Sequence, residues 1–261
     1  MLERRESAEG PVYYVSPLLQ RAGIRHAFST RLGGVSPAPF DSLNLGNPGG
    51  CDRQDDDERI QANYRRLQAA LGCVHSTRCW VHQVHGGDVA DANSGFSNGI
   101  KADALLTNDP SQVLAIRIAD CVPILVADEQ GKTVAAIHAG WRGVIAGIIP
   151  ATLARMPDMN SLIAAIGPCI GFDAFEVGHE VLREFDRAFG DEAPVRRNGN
   201  GKGHVDLRAA CHLQLRRAGL SDEQIDTTDR CTFRDADEFF SHRRDRGVTG
   251  RLAALIAPRS R

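Results

Sequence analysis

Three residues in the middle of the chain, His85, Cys121 and His138, are of types that bind a borderline-soft metal ion. One thiolate and two imidazoles suit Zn²⁺, and three protein ligands with a fourth position open are the pattern of catalytic rather than structural zinc. The intervals, 36 residues from His85 to Cys121 and 17 from Cys121 to His138, match no zinc finger. Cys73 and Cys79 lie too far apart for a C-x-x-C pair, and no second pair completes a ribbon.

Local context singles these three out. His138 follows an apolar run and precedes the turn Ala139-Gly140-Trp141-Arg142-Gly143, which opens a helical pattern. Catalytic side chains favour such scaffold-held turns, and a helix N-terminus offers unpaired N–H groups to an anion. A histidine here is also an ordinary turn cap, and Cys121, between two apolar runs, is also an ordinary small apolar residue. As a thiolate it needs a cation, an imidazolium or a metal nearby, all the more because Asp120 opposes ionisation if it faces the same side. Without a metal, Cys121 as nucleophile and His138 as base make a cysteine hydrolase or amidase. On a strand His82 and His85 face opposite sides and cannot share an ion; on a helix they share a face, but Gly86-Gly87 argues against a helix and picks His85. His26, His75, His179, His204 and His212 read as surface or hydrogen-bonded core residues.

The elements that must position these residues are mixed. Val12 to Val15 and Ile24 to Phe28 read as short apolar strands, followed by a turn-rich stretch, Thr30 to Gly50, with five glycines and three prolines. Its length points to a role in a site. Ile60, Tyr64, Leu67 and Leu71 recur at helical spacing over Asp55 to Leu71, with Gly72 as a stop. Val113 to Ile118, Pro123 to Val126 and Thr133 to Ile137 read as consecutive buried strands, with Asp128-Glu129-Gln130-Gly131 as a turn and Ala119-Asp120-Cys121 as a sharp junction. Pro123 suits the first position of a strand. An apolar helical pattern follows Gly143, interrupted at Pro150. Ser161 to Ile166 is a further strand, and helices are expected near Gly178 to Phe189 and from Asp206, as N-cap, to about Ala218. The chain is α+β, and residues 1–261 read as a single domain.

Composition excludes several classes. With 42% hydrophobic and 25% charged residues the chain is neither disordered nor fibrous. The net charge of −2, without a basic stripe interleaved with aromatics, argues against a nucleic-acid partner. No apolar run reaches the roughly 18 to 20 residues of a membrane span, Met1 to Gly10 is too charged for a signal peptide, and seven irregularly spaced cysteines suggest reduced thiols. These features lead to the expectation of a cytosolic protein. Gly199-Asn200-Gly201-Lys202-Gly203 lacks the full phosphate-loop pattern and reads as a solvated loop.

Several segments together resemble the YfiH family of bacterial proteins, also labelled multicopper polyphenol oxidase or laccase-domain proteins. They are Phe28-Ser29-Thr30-Arg31 with Gly33-Gly34-Val35-Ser36, Leu43-Asn44-Leu45-Gly46, Gln83-Val84-His85-Gly86, Ala102-Asp103-Ala104, Ala119-Asp120-Cys121 with Pro123, His138 to Gly143, and Ile166-Gly167-Pro168-Cys169-Ile170. The resemblance implies a layered α-β-β-α sandwich with mixed sheets, similar to putative cysteine hydrolases, and a zinc site on His85, Cys121 and His138. It also implies purine nucleoside phosphorolysis of adenosine, inosine, guanosine and methylthioadenosine, with adenosine deaminase activity and, in some members, a link to peptidoglycan editing. His82 and Arg117 depart from the expected pattern. The ending Phe240 to Arg244 with Gly250-Arg251 also resembles the family's.

Phosphorolysis needs an anion site, stabilisation of positive charge on the ribose and a proton for the departing base. Arg31 and Arg142 are candidate phosphate holders, Asn44 a candidate nucleoside ligand, and Arg243 a further anion contact; His138 or a zinc-bound water is the candidate acid. The H-x-E and P-C-x-x-C signature of ordinary zinc deaminases is absent. Copper suits the chain less than zinc: a blue-copper centre with a three-copper cluster takes about ten histidines in pairs, whereas the chain has nine in all and no H-x-H pair. The expected partners are purine nucleoside and phosphate; oligomeric state, monomer or small homo-oligomer, is left open.

Overall fold

A computed structural model describes residues 1–93 and 95–259. Its strands are β1 Glu3–Glu6, β2 Val12–Val15, β3 Arg25–Ser29, β4 Thr77–Trp80, β5 Val89–Asp91, β6 Ala104–Thr107, β7 Gln112–Ile118, β8 Val122–Asp128, β9 Val134–Ala139, β10 Leu162–Ile166, β11 Glu176–Val177, β12 Val195–Arg197, β13 Gly203–Val205, β14 Ile225–Asp226 and β15 Leu252–Ala257. The helices are α1 Pro17–Arg21, α2 Asp57–Ala70, α3 Trp141–Ile145, α4 Ile148–Leu153, α5 His179–Phe189 and α6 Leu207–Arg217. Two six-stranded mixed sheets form, in the orders β1-β2-β3-β15-β7-β4 and β14-β10-β8-β9-β6-β5, with a small sheet β11-β13-β12.

Side-chain alternation decides how the layers stack. On β7, Leu114, Ile116 and Ile118 join Leu125 and Ala127 of β8 and Ala136 of β9 in a core between the two large sheets. Val113 and Ala115, pointing the other way, pack with Ile60, Tyr64 and Leu67 of α2. On the second sheet Ile124, Val126, Ala135 and Ile137 face α3 to α6, meeting Val144, Ile148, Phe185 and Leu215. The order is therefore helix, sheet, sheet, helices. Strands buried on both faces read as continuous apolar runs, which is why the three central runs were legible as buried strands.

Consecutive strands are not all partners. β8 and β9 form an antiparallel hairpin, its turn held by Asp128, whose carboxylate accepts from the N–H groups of Gln130, Lys132 and Thr133. β7, by contrast, pairs with β15 and β4 in the other sheet. Ala119-Asp120-Cys121 thus crosses from one sheet to the other.

The helix ends follow their sequence signals. Asp56 and Asp206 cap α2 and α6, accepting from Glu58 and Ala209 N–H. Two expectations are corrected. Pro123 is the second residue of β8, where its carbonyl accepts from Gly167. Pro150 does not interrupt the helical stretch; it lies in the first turn of α4, where a missing N–H costs little, and the break is at Gly147, whose φ of 77° ends α3. Among the described residues no helix is long and apolar enough to cross a membrane.

The inter-sheet core also holds a titratable group. His26 accepts the Ser16 N–H at Nε2, and its Nδ1–H donates to the Ile24 carbonyl, fixing a neutral ring. Burial pushes its pKa from 6.5 down to about 4. Between those values the unfolded chain takes up a proton that the folded chain refuses, so stability falls as pH drops from 6.5 towards 4. The expected loss is about 2 kcal/mol between pH 7.5 and 5. His26→Gln, which keeps an acceptor and a donor, should flatten that part of the curve in urea unfolding midpoints; an unchanged slope refutes the assignment.

Candidate metal centre

His85, Cys121 and His138 meet where the chain passes between the two sheets. His138 lies near the end of β9 with its side chain on the inter-sheet face, Cys121 directly precedes β8, and His85 lies on the segment between β4 and β5. One ligand atom from each, two imidazole nitrogens and a sulfur, lies within 4.8 Å of the others, and this is the one such His, Cys, Asp or Glu cluster among the described residues. The two imidazole rings stand edge to face, centroids 4.8 Å apart. A soft sulfur and two borderline nitrogens within reach of a common point fit one metal ion.

Asp103, quoted above only as part of a matching segment, organises the centre. It is fully buried, and its Oδ1 accepts from His138 Nδ1 at 2.8 Å and from His85 N–H at 2.9 Å. Its Oδ2 accepts from the N–H groups of Val84 and Gly86 at 3.1 and 2.6 Å. Burial disfavours the Asp103 charge, but these donors overcome it and hold the carboxyl below its usual range. With Nδ1 committed, His138 presents Nε2 to Cys121. The same carboxylate fixes the backbone at His85, whose φ of 61° a non-glycine residue adopts only when its surroundings enforce it. The 82–85 segment is neither strand nor helix; Gln83 holds it by pairing its side-chain amide with the Arg117 N–H and carbonyl, at 2.8 and 2.7 Å. His82 stands apart, in a single bridge to Lys101.

Asp120 does the same for Cys121. Its φ is 92°, and its carboxylate accepts from Thr232 Oγ1 at 2.6 Å and from Arg243 N–H at 2.7 Å. These bonds engage both carboxylate oxygens and draw the 231–244 segment to the site. Burial alone would raise the Cys121 thiol and lower the His138 imidazole. Facing each other they overcome it, with the thiol down to about 6 and the imidazole up to about 9.

Gly140 lets the two sides approach. A Cβ there would stand 2.8 Å from His85 Cδ2 and 3.1 Å from Cys121 Sγ, although its φ of −75° accommodates alanine. Gly140→Ala should therefore fold normally and weaken metal affinity about 10-fold, since overpacking costs about 1 to 3 kcal/mol. Competition with a chromophoric chelator measures this; wild-type affinity would mean that His85 gives way freely.

The other sequence candidates are placed differently. Asn44 is fully buried; its Nδ2 donates to Asp55, and its Oδ1 accepts from Gly46 and Arg251 N–H. It ties the long 30–50 loop to the C-terminal strand, with Asn63 of α2 holding Ser36, Ser42 and the Asn44 carbonyl from the other side. Arg31 is bonded to the Asp41 and Ala236 carbonyls and lines a separate surface cavity with Asp41 and Asp237. Arg142 is exposed, its guanidinium 4.4 Å from the Trp141 ring centroid. The α3 helix that follows Gly140 has only five residues, too short to supply much of the dipole expected of it. Arg243 turns its side chain to the Glu176 carbonyl.

A mixed two-sheet α+β fold with one potential metal centre at the inter-sheet crossing defines the class. Residues 25–259 match the family described as "Multi-copper polyphenol oxidoreductase laccase". The chain is 39% identical over 238 residues to the Escherichia coli (strain K12) protein named "Purine nucleoside phosphorylase YfiH", covering 91% of this chain and 95% of that one. It is 39% identical over 247 residues to a Deinococcus radiodurans protein named "Purine nucleoside phosphorylase", covering 92% of each. The crystal structure of YlmD from Geobacillus stearothermophilus superposes with a TM-score of 0.87 at 33% identity, covering 98% of this chain and 99% of that one. The chain belongs to the YfiH family of laccase-domain proteins.

Proposed function

We propose that this chain is a zinc-dependent purine nucleoside phosphorylase acting on adenosine, inosine, guanosine and methylthioadenosine, with adenosine deaminase side activity. The observation that carries the reading is the convergence of His85, Cys121 and His138 within 4.8 Å in a chain whose relatives of nearly equal length are named for phosphorolysis. His85, Cys121 and His138 would hold the zinc, which when bound supplies Lewis-acid polarisation. In phosphorolysis a phosphate oxygen bonds to C1′ as the C1′–N9 bond breaks, the electron pair leaves with the purine, and the purine takes up one proton. Asp103 keeps His138 in one tautomer, so its Nε2 lone pair is available to an ion. His242, held below the usual imidazole range by burial and by the Arg251 charge, with Asp120 and His85 also acting on it, is a candidate to pass that proton. Arg142 and Arg31 are phosphate candidates and Asn44 a nucleoside candidate on sequence grounds; Arg31 lines a separate surface cavity with Asp41 and Asp237, and the Asn44 side chain is engaged by Asp55, Gly46 and Arg251, so Arg142 is the one of the three left without such partners among the described residues. In deamination, water adds to C6 of adenosine and ammonia leaves, in the same pocket.

A second reading is favoured by the lowered Cys121 thiol and raised His138 imidazole: metal-free, the pair is a nucleophile and its base, as in an amidase acting on peptidoglycan precursors. A multicopper polyphenol oxidase lacks support, because a single candidate cluster occurs among the described residues. Metal-analysed protein incubated with adenosine, with and without phosphate, separates the readings. Ribose 1-phosphate with adenine supports phosphorolysis and inosine supports deamination. Neither product, with turnover of a cell-wall precursor by metal-free protein, overturns the proposal in favour of the amidase.

A further inference from the structure

Two arginines near the centre have no part in holding the metal. Arg117 is in β7, and its register partner is Ala253 of β15, so Arg251, two residues earlier, stands on the same face of the sheet. The 30–50 loop packs against both: a Cβ on Gly46 would lie 2.8 Å from Arg117 Cδ, 3.3 Å from its Nη1 and 3.5 Å from Arg251 Cβ. Arg251 is fixed at its backbone N–H by Asn44 Oδ1, at 2.8 Å, and at Nη1 by the carbonyls of Thr249 and Gly250, at 3.3 and 3.2 Å. The Arg117 guanidinium lies 5.3 Å from the Trp80 ring centroid.

Neither guanidinium forms an ion pair with a carboxylate among the described residues, whereas eleven other arginines do. Burial disfavours the Arg251 cation, and so does the like charge of Arg117; the opposite charges of Cys121 and Asp120 favour it. Both side chains start from the α2 face at the end of the sheet, where Gln83, two residues from His85, bonds the Arg117 backbone and where the chain leaves β7 for Asp120 and Cys121, so the pair lies at the edge of the metal-binding segments. Asp120, whose charge acts on Arg251, has both oxygens engaged by Thr232 and Arg243. Two neighbouring cations, partly withdrawn from water and lacking a counter-charge, are costly for a fold to keep, and a doubly charged oxyanion offsets them both. A guanidinium fork matches two oxygens of such an anion.

We propose that Arg251 and Arg117 hold inorganic phosphate beside the His85, Cys121 and His138 centre, with Gly46 leaving room for both side chains. This rests on the phosphorylase reading for its purpose but not for its test. Phosphate binding is measured calorimetrically at constant ionic strength on wild type, Arg251→Gln, Arg117→Gln and Arg142→Gln, each first checked for a wild-type circular dichroism spectrum and melting curve. Wild-type protein should bind inorganic phosphate, and either Arg251→Gln or Arg117→Gln should weaken it by about 10-fold or more, the worth of a charge-assisted hydrogen bond. Arg251→Lys should recover only part, because it restores charge without the fork, and inosine affinity should be unchanged throughout. Should Arg251→Gln not fold, Arg117→Gln carries the same test.

Wild-type phosphate affinity in both variants, or loss confined to Arg142→Gln, overturns the assignment even if the protein is a phosphorylase. Dependence on Arg251 seen for adenosine 5′-monophosphate but not for inorganic phosphate also overturns it, since the site would then read a nucleotide. Phosphate binding that needs Arg251 in a protein devoid of phosphorolysis upholds the subsite while the function proposal fails.

Discussion

Cys121→Ala should abolish turnover of adenosine and remove the metal in the same step. A drop in kcat/KM of about 10³-fold or more, roughly 4 kcal/mol of transition-state stabilisation, is expected because the sulfur is the only anionic donor of the three ligands. Elemental analysis of the purified variant should find the zinc largely lost. His85→Ala and His138→Ala should cost about as much individually, and combining any two should cost little more, since residues acting as a unit are strongly non-additive. Cys121→Ser discriminates between roles. If the sulfur is a ligand, excess zinc partly restores the serine variant; if it is a nucleophile, no metal concentration does, and chelator-treated wild type stays active. Wild-type activity in Cys121→Ala would sink both readings.

The reason for so large an effect lies in how the centre is assembled. Its three side chains come from two crossings between sheets and one strand end, so no single element carries the site and none of the positions is buffered by its neighbours. His85 and Asp120 sit at φ of 61° and 92°, each worth of the order of 1 to 3 kcal/mol of strain. Hydrogen bonds to Asp103 and from Thr232 and Arg243 hold them there. Strain concentrated at a site, countered by buried carboxylates on either side, is how a fold holds donors closer than the local chain would choose.

Much of this was readable from residue types. The run from Val113 to Ile137 announced buried strands, the Asp128 turn announced a hairpin, and Asp206 announced a helix, because each signal is local. What the chain concealed was non-local. β7 and β8 are apolar on both faces, so alternation could not say which sheet each joins, and their division between sheets is what creates the crossing at Cys121. Leu252 to Ala257, a central strand of the first sheet, carries six small or aliphatic residues that suit a helix equally well. Asn44, a candidate nucleoside ligand, stands in a turn-rich loop, and its burial follows from Asn63 and Arg251, which are 19 and 207 residues away. Pro150 misled because proline breaks a helix in its interior but not in its first turn. Asp103 stands at no motif spacing from His138, and the one available signal was its recurrence in a segment that also resembles the family.

Asp103→Asn is the second substitution with a large expected effect, and it separates positioning from ligation. Asparagine has the shape of aspartate but offers one acceptor oxygen, whereas Asp103 receives four hydrogen bonds, from His138 Nδ1 and three backbone N–H groups. Its amide must set a donor against another donor in a fully buried place, so folding stability should fall by about 1 to 3 kcal/mol. Metal affinity should fall about 10- to 100-fold, the usual result of losing a carboxylate behind a ligating histidine, because the His138 ring is freed to turn and becomes a poorer donor. Unlike Cys121→Ala, this variant keeps all three ligands, so saturating zinc should bring back most of kcat, while the affinity deficit remains in a chelator competition. A variant that binds zinc as tightly as wild type would show that the ring is held by packing alone. A variant that binds zinc fully yet stays inactive would instead put Asp103 in contact with the reacting groups.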